Sequence, residues 1–83
     1  SPDHLHDPEG VAVQLIELVQ KQDPRALGKA FFVNLNKGSA TEILSQLALL
    51  KKKLLKDGEP DLDAISRQVI AKWQQGKILS TPV

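Results

Sequence analysis

Apolar residues recur at intervals of three and four in four stretches of this chain, each opened by a capping residue and closed by a breaker. That pattern predicts four amphipathic helices and no sheet. The first is expected over 8–22. Asp7 can accept from the free amides of the first turn, Pro8 occupies a helical position that needs no N–H, and Glu9 lies at the positive end of the helix dipole. Val11, Leu15, Leu18 and Val19 form its predicted inward stripe, flanked by Ala12 and Ile16. Asp23 and Pro24 repeat the start signal, so a second helix over 24–36 follows a tight connection that makes the two helices neighbours. Leu27, Ala30, Phe31 and Leu35 share one of its faces. The run 30–33 behind Gly28 also fits a short buried strand. Asn36, Lys37 and Gly38 suit a left-handed helix end.

Ser39 and Glu42 have the spacing of a capping box, in which each side chain meets the other residue's amide. The third helix is expected over 40–56, with Ala40, Ile43, Leu47, Leu50 and Leu54 as its stripe. Leu44, Ala48, Leu49 and Leu55 widen that stripe, which marks this helix as the central one. Gly58 and Pro60 break the pattern. Asp61 or Asp63 then caps a fourth helix over 62–76 that carries Leu62, Ile65, Val69 and Trp73 inward, with Trp73 as the largest core contributor. Ile78 and Leu79 are positioned to fold back onto the others. Residues 1–6 read as a frayed leader and 80–83 as a frayed tail, leaving 7–79 as one all-α domain, a compact four-helix bundle.

The chain has 83 residues, which leaves room for one core and little surplus stability. It starts at Ser1 rather than a methionine, which suggests a piece of a larger protein. With no cysteine, disulfide and thiolate chemistry are excluded, and the composition fits a nuclear or cytoplasmic setting. The longest apolar runs, 30–33 and 47–50, are far too short to cross a bilayer. Eleven basic and ten acidic residues leave a net charge of +1, so only a local patch could attract nucleic acid or an anionic membrane.

Candidate chemistry is sparse. His4 and His6 sit beside Asp3 and Asp7, but no further His or Cys completes a metal shell. The same shortage removes a base for Ser39, Ser45 or Ser66 as nucleophile. The acids at 57, 59, 61 and 63 have alternate spacing without the glycine and terminal glutamate of a calcium loop. Gly28 and Gly38 are isolated, so no phosphate-cradling loop is present. The expectation is a non-enzymatic protein with no catalytic residue, metal or cofactor.

Two surface features remain. Lys51, Lys52, Lys53 and Lys56, joined by Lys72 and Lys77, offer a modest basic patch that would meet phosphates without reading sequence. Cations in a helix's last turns also favour its dipole, a purely structural role. The second feature is an apolar surplus, with Phe31 beside Phe32 and leucine at 44, 47, 49, 50, 54 and 55. Either the third helix is fully central, or some of these side chains line an exposed groove between the second and third helices. On the second reading Phe32, Leu49 and Leu55 contact a partner protein, a peptide segment or a second copy of the chain. A weak nucleic-acid interface through Lys51, Lys52, Lys53, Lys56 and Lys72 is the alternative, and homodimerisation along the leucine-rich helix a third.

Two fragments resemble the N-terminal domain of transcription elongation factor TFIIS, a helical module also found in elongin A and a Mediator subunit. The stretch 26–37, with Gly28-Lys29 and Val33-Asn34-Leu35-Asn36-Lys37, is similar to that family's Gly-Lys-x-Val-Asn-x-Leu-Arg-Lys segment. It carries two additional residues and has Asn36 where the family has arginine. The stretch 65–73 is similar to the family's closing helix with its tryptophan. The resemblance implies a docking module for short segments of transcription regulators.

Overall fold

The computed structural model describes residues 6–79, which build four α-helices: α1 (Pro8–Gln22), α2 (Ala26–Phe31), α3 (Ala40–Leu50) and α4 (Leu62–Gln74). The expected leader and tail fall largely (1–5 and 80–83) outside the described residues. The most extensive helix contact joins α1 to α4, and α1 also touches α2 and α3. The centre of the bundle is therefore α1 rather than the leucine-rich α3. One core is shared by Ala12, Leu15, Ile16 and Val19 of α1, Leu27 and Phe31 of α2, Ile43, Leu44, Leu47 and Ala48 of α3, and Ile65, Val69 and Ile70 of α4. Each large aliphatic side chain fully buried there contributes about 1.5–3 kcal/mol. Ile78 folds back into this core after α4, as its position beyond the helix suggested.

Three of the four helix starts follow from their side chains. Asp7 accepts from the Gly10 amide at 3.0 Å with Pro8 behind it, and Asp61 accepts from the Ala64 amide at 3.0 Å. At α3 the capping box is complete: the Glu42 amide donates to Ser39 Oγ at 3.2 Å, and the Ser39 amide donates to Glu42 Oε1 at 2.9 Å. The Ser39 amide, and after it the Ser39 hydroxyl, hold the Glu42 carboxyl below the ordinary glutamate range. A depressed carboxyl of this kind supports the fold above its unfolded-state value, and that support is lost as the pH falls through the folded-state value.

α1 ends at Gln22 as expected, but the ends of α2 and α3 depart from expectation. α2 stops at Phe31 instead of 36, because Phe32 turns left-handed with φ of 58°. The Val33 amide then donates back to the Gly28 carbonyl at 3.0 Å and the Phe32 amide to the Lys29 carbonyl at 3.4 Å, the paired bonds of a Schellman ending. α3 ends the same way at Leu50 rather than 56: Lys52 has φ of 58°, and the Lys53 amide reaches the Ala48 carbonyl at 2.8 Å. α4 ends with Gly76 in the left-handed position, the glycine such a turn ordinarily takes. Gly38 has no such role, and the strand reading of 30–33 does not hold.

Released from α3, residues 53–61 double back as a hairpin-like loop. Leu54 bridges Pro60 in antiparallel fashion, the Leu55 amide donates to the Glu59 carbonyl at 2.8 Å, and the Asp61 amide to the Lys53 carbonyl at 2.8 Å. Gly58, with φ of 87°, closes the turn behind Asp57, whose carboxylate accepts from the Glu59 amide at 3.0 Å. This geometry is that of a three-residue hairpin connection with glycine in the left-handed place.

The inward faces are rotated from their expected positions. Val11 and Leu18 are exposed, and the buried stripe of α1 is centred on Ala12, Leu15, Ile16 and Val19. Leu50, the last residue of α3, and Leu54, beyond its end, are both exposed, because the helix stops before its stripe is continued into the core. Trp73 is 37% exposed and is not the core's main contributor; it lies in the last turn of α4, where the bundle no longer covers so large a ring. Phe31, 1% exposed, is the largest fully buried side chain instead.

Ser66 is the polar exception inside. Its side chain is fully buried on α4 and its hydroxyl has no hydrogen-bond partner among the described residues. Burying an unmatched hydroxyl costs about 1–3 kcal/mol. Ser66→Ala is therefore expected to raise unfolding stability by about 1 kcal/mol in a denaturant titration, with an unchanged slope.

Candidate functional site

Phe31 and Phe32 are adjacent in sequence and opposite in fate. The left-handed turn at Phe32 sends its ring away from the core and leaves it 88% exposed. Phe31 faces inward, and two lysines gather on it: Lys51 Nζ donates to the Phe31 carbonyl oxygen at 3.2 Å, and Lys72 Nζ stands 5.1 Å from the centre of its ring. The first contact caps the end of α2 and the second is a cation–π contact.

The segment that follows Phe32 is held against α3. The Asn36 amide donates to Gln46 Oε1 at 2.7 Å, and Gln46 Nε2 donates to the Asn36 carbonyl at 3.0 Å. Val33 and Leu35 pack partly on the core from this segment. Between it and the outer face of α2 lies an open concavity of about 610 Å³. Phe32, Val33, Leu35 and Pro24 give it apolar walls, Gly28 forms part of the floor, and Arg25 and Lys29 stand one helical turn apart beside them. A Cβ on residue 28 would lie 2.8 Å from the Val33 carbonyl oxygen, so glycine is what allows the two walls to approach this closely.

The expected groove between the second and third helices is absent in that form. α2 packs chiefly on α1, and its contact with α3 is sparse. Of the three expected partner contacts, Phe32 lines the concavity, while Leu49 (52% exposed) and Leu55 (50% exposed) do not. Leu49 lies in the last turn of α3 and Leu55 in the hairpin-like loop, so the three side chains are exposed but are not gathered in one depression.

The lysine patch is likewise dispersed. Lys51 and Lys72 are turned to Phe31, Lys52 occupies the left-handed turn after α3, Lys53 enters the hairpin and Lys56 stands in its loop. They do not form one face of a helix, because α3 ends before them. Among the described residues, no group of three histidine or acidic side chains could hold a metal ion. His6 is described and exposed, whereas His4 and Asp3 lie outside the described residues. No described helix is long and apolar enough to cross a membrane.

No family model matches this chain, and no solved structure matches it. The site rests on its own geometry.

Arg25 and Lys29 were missed by the sequence reading as site residues. Their signal was their spacing of four on the face of α2 that also carries Gly28.

Proposed function

We propose that this domain is a non-enzymatic interaction module that seats a segment of another protein against exposed apolar side chains, with Phe32 as the anchor. The observation that carries this reading is the doubly unfavourable state of Phe32. Its backbone takes the left-handed conformation, which costs a residue with a side chain about 1 kcal/mol, and its ring is left in water with no contribution to the core. Strain of this kind in a bulky residue is found preferentially where a ligand is held. Aromatic side chains beside a depression are also the usual energetic centres of protein interfaces.

Leu49 and Leu55, with Leu50 and Leu54 beside them, offer further apolar contacts at the end of α3 and in the hairpin. On this reading the domain carries no reaction, metal or cofactor. The likeness of 26–37 and 65–73 to the TFIIS N-terminal domain supports a docked segment drawn from a transcription regulator, and with it an intracellular setting. The first of these fragments contains the whole wall from Gly28 to Leu35.

A random peptide display library panned against the domain tests the proposal. Selected peptides are expected to lose about tenfold or more in affinity for Phe32→Ser, a change of roughly 1.4 kcal/mol or more, while the variant melts no lower than the parent. Smaller losses are expected for Leu49→Ser and Leu55→Ser. Peptides that bind Phe32→Ser as tightly as the parent, or a steep fall in melting temperature for that variant, would overturn it.

A further inference from the structure

We infer that the segment seated at Phe32 is acidic: a short stretch of chain with one large apolar residue flanked by aspartate or glutamate. The inference rests on the docking reading above and adds to it the chemistry of the partner.

The concavity beside Phe32 is bordered by two cations and by no carboxylate. Arg25 and Lys29 are both exposed, and neither forms an ion pair among the described residues. The nearest acid in sequence, Asp23, is engaged by its carboxylate with the Arg25 backbone amide at 2.9 Å, which fixes the turn into α2. The guanidinium and the ammonium are therefore available beside an apolar floor and wall. Two other lysines have structural contacts, Lys51 with the Phe31 carbonyl and Lys72 with its ring. An apolar side chain laid against Phe32, Val33 and Leu35 would bring its neighbouring residues within reach of both free cations. Carboxylates there gain charge-assisted bonds, whereas lysine or arginine would meet like charge in a partly desolvated place. Neutral segments gain only the apolar contact.

Panning the display library against two forms of the whole domain tests this, the parent and the Arg25→Glu/Lys29→Glu variant. Both positions are exposed, so the variant is expected to keep the parent's melting temperature, which is measured alongside. Peptides taken on the parent should be enriched in aspartate and glutamate around an aromatic or aliphatic residue. They should lose about tenfold or more on the double variant and weaken as salt is raised. The double variant should itself select basic peptides.

Selected peptides that depend on Phe32 but carry no acidic bias would overturn the charge inference and leave the docking reading standing. Peptides that ignore Phe32 would overturn the docking reading itself. A single-stranded oligonucleotide that binds through Arg25 and Lys29 as tightly as the acidic peptides would also overturn the inference, since the concavity would then answer to phosphate rather than to a carboxylate-bearing segment.

Discussion

Phe31→Ala is expected to cost about 3–5 kcal/mol of unfolding stability, the range for removing a large buried aromatic. In a domain of this size that is a large share of the total, and much of the population should be unfolded near physiological temperature. The loss has three parts. The ring is the largest fully buried side chain, and its removal opens a cavity among residues drawn from several helices. Lys72 loses the ring beneath its ammonium. The end of α2, where Lys51 meets the Phe31 carbonyl, loses the packing that holds it in place. Urea titration followed by far-ultraviolet circular dichroism measures the effect. A loss below about 1 kcal/mol would show that Phe31 does not hold the bundle together.

Gly28→Ala is the second large effect, and it runs against helix propensity. In an open helix interior the change would stabilise by about 1 kcal/mol. Here the new methyl would meet the Val33 carbonyl oxygen at 2.8 Å, and that oxygen belongs to backbone that cannot rotate away. The segment after Phe32 must move outward, straining the Schellman bonds and the paired bonds between Asn36 and Gln46. A net loss of roughly 1–3 kcal/mol is expected, as for overpacking elsewhere in folded interiors. The concavity would be reshaped as well, so peptides selected on the parent should weaken. A stabilised Gly28→Ala protein would mean that the Val33 segment can move away from α2 at little cost.

Three helix starts were legible in the sequence because they are made by side chains, whereas α2, expected from 24, begins at Ala26 without a side-chain cap because the Asp23 carboxylate accepts from the Arg25 amide instead. Asp7 with Pro8, Ser39 with Glu42, and Asp61 each announce a cap through residue type and spacing, and each makes the bond expected of it. The end of α1 at Gln22 was legible from the Asp23-Pro24 breaker, and that of α4 from Gly76, the glycine in the left-handed position. At α2 and α3 that position is held by Phe32 and Lys52, residues that ordinarily continue a helix, so the expected helices ran on to 36 and 56. The hairpin carried one clear signal, Asp57-Gly58, which was read as a helix stop alone. Helical propensity in the run 49–56 outweighed it, because leucine and lysine are good helix formers in the absence of tertiary contacts.

The same two turns explain what was and was not legible in the site. A surplus of apolar residues on α2 and α3 pointed to Phe32, Leu49 and Leu55, and all three are exposed. The expected geometry required two long neighbouring helices, which the early turns at Phe32 and Lys52 do not supply. The concavity lies instead between α2 and the segment that the turn at Phe32 creates, with Arg25, Gly28 and Lys29 on the α2 side. Trp73 was misplaced for a simpler reason. Its spacing from Val69 continues the buried stripe, but periodicity does not reveal where the neighbouring helices stop covering it.

Phe32 is held in a costly backbone state and gives the fold nothing in return, and thermal unfolding of Phe32→Gly tests that directly. Glycine takes the left-handed position without steric cost, and the lost ring makes no core contact. The expected result is a melting temperature about 4–8 °C above the parent's, corresponding to roughly 1 kcal/mol in a domain of this length. A melting temperature below the parent's would contradict it, because the exposed ring would then be part of what holds the bundle together.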